Sequence, residues 1–241
     1  MNFEKIKQII KDNEIKMSIG TKQERTLHQY LKYYFCDNPD YHEQKCGSYI
    51  VDILKNEQII EIQTSSFNAM RKKLESLLPN YPITIVYPII VEKKIHNYDE
   101  NGQFVSSKKS PKKEHPLKIG KELYKLNHIL NNKNLNFICT ILKIDEHRIP
   151  YLNRYKQKRM TRINQIPYEL VENINLKEGN TLASLIPFDK EFTALEFKKK
   201  LKLSPRETSS TLIALRTLNV IKVTRQDGKK YIYEVIGKTP N

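Results

Sequence analysis

Residues 51–67 read VDILKNEQIIEIQTSSF. Around this stretch, GSYIVDIL (47–54) and QIIEIQT (58–64) alternate as strands do and flank KNE (55–57), which predicts a tight β-hairpin. With Asn56 and Glu57 as a two-residue loop, Lys55 opposes Gln58, and counting back sets Asp52 opposite Glu61. Directly opposed side chains share a face, with Cβ atoms about 4.5–5.5 Å apart. Gln63 lies two residues past Glu61 and points to that same face. The other face carries Val51, Ile53, Ile60 and Ile62, which belong in a core. Two like charges opposed on a sheet repel. A hard cation held by Asp52, Glu61 and a main-chain carbonyl would reverse that cost, and such oxygen ligands suit Mg²⁺. A neutralising lysine beside an exposed polar face would reverse it too. Spacing alone leaves both readings open.

Outward from the hairpin, TKQERTLHQYLKYYF (21–35) has helical spacing, with Leu27, Tyr30, Leu31 and Tyr34 on one face and Thr21 with Glu24 as a capping box. SSFNAMRKKLESLLPN (65–80) predicts a second helix, capped by Ser66 and stopped by Pro79. ITIVYPII (83–90) is a continuous apolar run, as in a strand covered on both faces. The order helix, hairpin, helix, buried strand implies an α/β fold with a mixed central sheet flanked by helices. LNFICTILKI (135–144) adds a strand, and 96–118, rich in Lys, Ser and Pro, reads as a long exposed loop or flap. YLNRYKQKRMTRINQ (151–165) is strongly basic through Arg154, Lys156, Lys158, Arg159 and Arg162. It reads either as a solvated linker or as a phosphate-binding segment. The expected division is a first domain over 1–150, a basic linker over 151–180 and a second domain over 181–241.

In the last of these, FTALEFKKKLKL (192–203) opens with a Thr193–Glu196 capping box, and SPRETSSTLIALRTLNVI (204–221) with a Ser204–Glu207 box and Pro205 at the first helical position. Phe197, Leu201, Leu203, Leu212, Leu215 and Leu218 would pack between the helices. VTRQDGKKYIYEV (223–235) is a hairpin turning at Asp227–Gly228. Helix, tight turn, helix and two-stranded wing describe a winged helix-turn-helix. Such a domain lays its second helix in the DNA major groove. Here that helix offers Arg206, Thr208, Ser209 and Ser210, and the wing offers Arg225, Lys229 and Lys230.

The 241 residues carry 42 Lys and Arg against 27 Asp and Glu, a formal charge of +15. The commonest partner of such charge is nucleic acid, and an anionic membrane surface comes second. Cys36, Cys46 and Cys139 are odd in number and widely spaced, which fits a reduced, cytoplasmic setting rather than a zinc knuckle or disulfide frame. The most apolar run, 82–91, is too short to span a bilayer, and the N-terminus does not read as a signal peptide. The six histidines, among them His28, are scattered without metal-helix spacing and read as surface or packing residues.

An acid on a first helix, Asp on a strand, Glu-x-Gln on the next strand and then a crossover helix resembles the PD-(D/E)XK nuclease superfamily. The matching residues are Glu24, Asp52, Glu61 and Gln63. The segment order, the basic stretch and the tail domain look most like a bacterial subgroup of uncharacterised nuclease-like proteins with a C-terminal winged helix. The resemblance implies a Mg²⁺-dependent DNA endonuclease, with Mn²⁺ able to substitute. Asp52 and Glu61 would hold the metal, the Ile62 carbonyl would be its third ligand, and Glu24 would approach from the helix. Gln63 stands where the family usually has Lys, so it cannot titrate or supply charge, though it can orient a water. That departure keeps open a second expectation, a nuclease-like scaffold that binds DNA or a partner without cutting. Arg71, Lys72 and Lys73 on the next helix face either phosphate or solvent. The implied partner is double-stranded DNA, and cutting both strands would call for a homodimer or a partner protein.

Overall fold

The computed structural model describes residues 3–14 and 26–237. The elements run α1 (Phe3–Glu14), α2 (Thr26–Phe35), β1 (His42–Cys46), β2 (Tyr49–Lys55), β3 (Gln58–Ile62), α3 (Arg71–Leu77), β4 (Ile83–Tyr98), β5 (Phe104–Lys109), α4 (Gly120–Leu123), β6 (Leu135–Leu152) and β7 (Lys158–Asn175). There follow α5 (Thr181–Ser184), β8 (Phe192–Thr193), α6 (Ala194–Leu201), α7 (Pro205–Thr217), β9 (Ile221–Asp227) and β10 (Lys230–Val235).

A seven-stranded mixed sheet forms the centre, in the order β1-β2-β3-β4-β6-β7, with β5 on the far end of β4. β4 lies parallel to β3 and to β6, and the other pairings are antiparallel. Both faces of the sheet are covered. On one, Phe3, Ile6 and Ile10 of α1 and Leu27 and Leu31 of α2 pack on Ile53, Ile62, Val86, Leu142 and Ile144. On the other, Phe67, Leu74 and Leu77 pack on Val51, Ile59, Ile85 and Phe137, and this cluster continues without a break into Phe192, Phe197, Leu212 and Leu215 near the C-terminus. Two-sided cover explains why 83–90 is apolar throughout, as expected of a buried strand. It also corrects the simple division of the hairpin into a core face and a polar face. Val51 and Ile59 belong to one cluster and Ile53 and Ile62 to the other, so the apolar side chains of the hairpin are divided between the two layers.

Three boundaries differ from expectation. The apolar runs 83–90 and 135–144 are only the buried starts of strands of 16 and 18 residues. The supposed flap at 96–118 contains the outer end of β4, β5 and the turns leading to α4. All six residues of β5 are exposed, so no burial pattern marked it as a strand. The basic segment 151–165 is not a linker, because it closes and begins the β6–β7 hairpin, paired from Ile138 opposite Asn175 to Leu152 opposite Lys158. The sheet therefore runs to Asn175, beyond the expected boundary at 150.

The C-terminal elements follow the sequence closely. Both capping boxes form, Thr193 with Glu196 and Ser204 with Glu207. Lys202 turns the chain between the helices at φ 52°, and β9 pairs with β10 about Gly228 and Lys229. β8 adds to β10, giving a three-stranded sheet β8-β10-β9. This unit is docked on the larger one through α7. Gly120 meets Thr211 so closely that a Cβ there would lie 2.4 Å from its Cγ2. Lys121 pairs with Glu207 at 3.2 Å, and the Thr217 hydroxyl donates to Asn127 at 2.7 Å. No described helix is long and apolar enough to cross a membrane. Cys36, Cys46 and Cys139 are buried and free.

Candidate active site

The β2–β3 ladder pairs Lys55 with Gln58, Leu54 with Ile59 and Ile53 with Ile60, the register read from the sequence. Its turn uses Asn56 and Glu57 at φ 49° and 59°, the positive values that a two-residue hairpin of this twist requires. One step further, at Asp52 and Glu61, side chains replace the backbone ladder. The Asp52 N–H donates to Glu61 Oε1 at 3.3 Å, and the Ile62 N–H donates to Asp52 Oδ2 at 2.7 Å. The two carboxylates thus hold the strands together where they diverge.

Each acid has a cation donor from a different layer. His28 on α2 places Nε2 3.2 Å from Asp52 Oδ2. Lys73 on α3 places Nζ 2.5 Å from Glu61 Oε1 and donates to the Ile50 carbonyl at 2.6 Å. Burial works against ionisation of Asp52, but His28, the Ile62 N–H and Lys73 outweigh it and hold its pKa below the usual value. Glu61 is pushed up to about 7, first by burial and then by the charge of Asp52, with Lys73 opposing. The two adjacent carboxyls are thus shifted in opposite directions, Asp52 down and Glu61 up.

Neither His28 nor Lys73 was in the acid set read from the sequence. His28 follows Glu24 by four residues in the sequence, a spacing that was a usable signal. Lys73 was grouped with Arg71 and Lys72, but only the latter two are fully exposed. Glu24 and its capping box with Thr21 lie outside the described residues. Gln63 bonds elsewhere: its Oε1 accepts from Ser65 N–H at 3.3 Å and from Ser65 Oγ–H at 3.0 Å, and its amide nitrogen points at Met70 Sδ. It braces the turn into α3.

Among the described residues no three His, Cys, Asp or Glu side chains cluster as a metal site. The donors available are the Asp52 and Glu61 carboxylates and the carbonyl of Ile62. The N–H of Ile62 faces Asp52, and a strand residue presents both its backbone groups to the same side. An all-oxygen set of this kind fits a hard divalent ion.

A cleft of about 430 Å³ is lined by Thr26, Thr64, Tyr87, Glu114, Arg162 and Gln165 among others, and Asp52, Glu61, His28 and Lys73 are not among its lining residues. It lies between α2, β4 and β7. The other residues expected to meet DNA are scattered. Arg154, Lys156, Lys158 and Arg159 are exposed at the β6–β7 end. Arg206 and Ser209 are exposed on α7, Ser210 is half-buried, and Lys229 and Lys230 are open on the β9–β10 hairpin. Arg225 is engaged by Glu191. Thr208 is a correction: it is buried, its hydroxyl donating to the Ser204 carbonyl at 2.9 Å, so it is turned into the fold and not toward a groove.

A family model described as a domain of unknown function (DUF8091) matches residues 25–177, from the start of α2 to the end of β7. The chain belongs to that family. It is 29% identical over 150 residues to an uncharacterised protein of Treponema pallidum (strain Nichols), an alignment taking in 60% of this chain and 59% of that one. The chain therefore spans about three fifths of the length of this curated relative. No solved structure matches it. Asp52, Glu61, His28, Lys73 and the cleft all fall within the matched stretch, and α5 to β10 lie after it.

Proposed function

We propose that the chain is a divalent-metal-dependent endonuclease that hydrolyses phosphodiester bonds in DNA, on a restriction-endonuclease-like sheet with a winged helix behind it. The observation that carries this reading is the Asp52–Glu61 pair, opposed at the end of a hairpin, buried, and flanked by His28 and Lys73. Asp52, Glu61 and the Ile62 carbonyl would hold Mg²⁺ or Mn²⁺. When bound, such an ion supplies charge stabilisation at the scissile phosphate and a more acidic water. The chain's own residues do the rest. Asp52 fixes the ring of His28 through Nε2. Lys73 brings to the acid pair the positive charge that Gln63 cannot, and from there it can face a phosphate oxygen whose charge grows during attack. Arg162 in the cleft adds a second phosphate contact. The winged-helix reading of α5 to β10 rests on their order, a short helix, a strand, two helices about a tight turn and a hairpin.

A second reading, a nuclease-like scaffold that binds DNA or a partner without cutting, is favoured by one distance. Lys73 Nζ lies 2.5 Å from Glu61, where it offsets part of the charge of the pair by itself. Nicking of supercoiled plasmid with Mg²⁺ or Mn²⁺ separates the two. The wild type should cut, and Asp52→Ala should lose at least about 100-fold in rate, the equivalent of ~2.7 kcal/mol of barrier. Equal cutting by both proteins would remove this site from the account, and no cutting by the wild type on any DNA substrate would favour the scaffold.

A further inference from the structure

β6 and β7 outrun the rest of the sheet. β4 accompanies β6 only as far as Asn97 opposite Arg148, whereas β6 and β7 stay paired to Leu152 opposite Lys158. Residues 149–161 therefore form a two-stranded ribbon that projects about 13 Å past β4, at ~3.3 Å per residue, before its turn. Its root and its tip are both firmly built. At the root, buried Glu146 accepts from Lys93 at 3.0 Å, Arg148 at 2.5 Å and Gln165 at 2.9 Å, joining three strands. At the tip, Asn153 Oδ1 accepts the N–H groups of Tyr155 and Gln157 at 2.9 and 3.0 Å, and the Lys156 N–H returns to the Asn153 carbonyl at 2.9 Å.

A ribbon so well held serves no core. Leu152 and Tyr155 are 67% and 66% exposed at its end, with Tyr151 and Met160 open beside them. Arg154 lies over the Tyr155 ring at 4.6 Å, which presents charge and ring together. From residue 147 to 168 there is no Asp or Glu, against Arg148, Arg154, Lys156, Lys158, Arg159 and Arg162. Among the described residues Glu146 engages Arg148 and Glu100 reaches Lys158 at 3.1 Å. Charge of one sign on a rigid, partly apolar ribbon matches a polyanion with grooves. A two-stranded ribbon is also the element that the ~12 Å major groove of B-DNA admits.

We infer that the β6–β7 ribbon is a grip for duplex DNA, laid into a groove with Arg154, Lys156, Lys158 and Arg159 on the phosphates and Leu152 and Tyr155 against the base edges. The inference rests on the nucleic-acid part of the reading above and not on its cleavage chemistry. The ribbon emerges from the strand that carries Arg162, so it would seat the duplex along the same side as the cleft.

The test is anisotropy of a short mixed-sequence duplex titrated in EDTA over a range of salt, with the full chain. Replacing Arg154, Lys156, Lys158 and Arg159 together by Ala should weaken binding at least about tenfold and lower the magnitude of the slope of log K against log salt by about 3.6, since each phosphate contact contributes ~0.9. Leu152→Ala with Tyr155→Ala should weaken binding while keeping the wild-type slope. The substituted side chains are exposed, and an unchanged thermal melt would show that the fold is intact. Wild-type affinity and slope in the four-cation variant would overturn the inference. So would loss of binding to phosphatidylserine vesicles by that variant with duplex binding unaffected, which would make the ribbon a membrane contact. Ribbon-dependent binding without any plasmid nicking would sink the cleavage reading and leave the grip standing.

Discussion

At the residue scale the informative fact is which groups share the end of the hairpin. Past the last ladder pair, Ile53 with Ile60, the Asp52 N–H donates to Glu61 and the Ile62 N–H donates to Asp52, so the two side chains tie the strands together. Two carboxylates there repel, and the raised pKa of Glu61, about 7, records burial and that repulsion. Lys73 is what keeps the arrangement tolerable in the absence of an ion. Removing one partner of a buried pair strands the other charge, so Lys73→Met should destabilise the metal-free protein by up to about 3–5 kcal/mol, less if water reaches Glu61. Urea unfolding in EDTA measures this, and adding Glu61→Gln should restore most of the loss. A Lys73→Met protein as stable as the wild type would mean that the ion pair bears no load. The register that unites Asp52 and Glu61 was legible from spacing, because hairpin pairing is set by a local count. His28 and Lys73 were not, because they reach the acids across two separate helix–sheet contacts, and no periodicity within one segment encodes such a meeting.

At the scale of elements, burial decides what a sequence reveals. β3, β4 and the first half of β6 are apolar because both faces of the sheet are covered there. β5 and much of β7 have little to bury, so their strand character comes from ladder bonds to β4 and β6 and left only a polar, basic sequence. The C-terminal helices were legible almost to the residue because their starts are written in capping boxes, which act over three positions. What those helices dock against was not legible. α7 meets α4 at Gly120, where a Cβ would sit 2.4 Å from Thr211 Cγ2 and 2.7 Å from its Cβ. Glycine is required there for close approach. Gly120→Ala should cost about 1–3 kcal/mol through overpacking, which for a chain of this size is a fall in Tm of roughly 2–12 °C. A wild-type melting curve for Gly120→Ala would show that α7 does not pack this tightly on α4. The docking also fixes which part of α7 stays free, namely the arc carrying Arg206, Ser209 and Arg216.

At the scale of the whole molecule, one apolar cluster runs from Cys46 on β1 to Val235 on β10, so the sheet and the C-terminal unit share a core. The cations are arranged around that body: the β6–β7 ribbon, Arg162 in the cleft, and the open ends of α7 and β9–β10. A formal charge of +15 favours association with any polyanion whatever happens at the acid pair. Affinity and its salt dependence therefore cannot test the central claim, that the pair is a metal-dependent cleavage centre and not a self-neutralised relic. Occupancy by an ion can. The decisive measurement is the anomalous signal from a crystal of the wild-type protein soaked in Mn²⁺. The account predicts a peak between Asp52 and Glu61, within ligand distance of the Ile62 carbonyl, and its loss in Asp52→Ala. A saturating soak that leaves no peak there, with Lys73 Nζ still against Glu61, would contradict it.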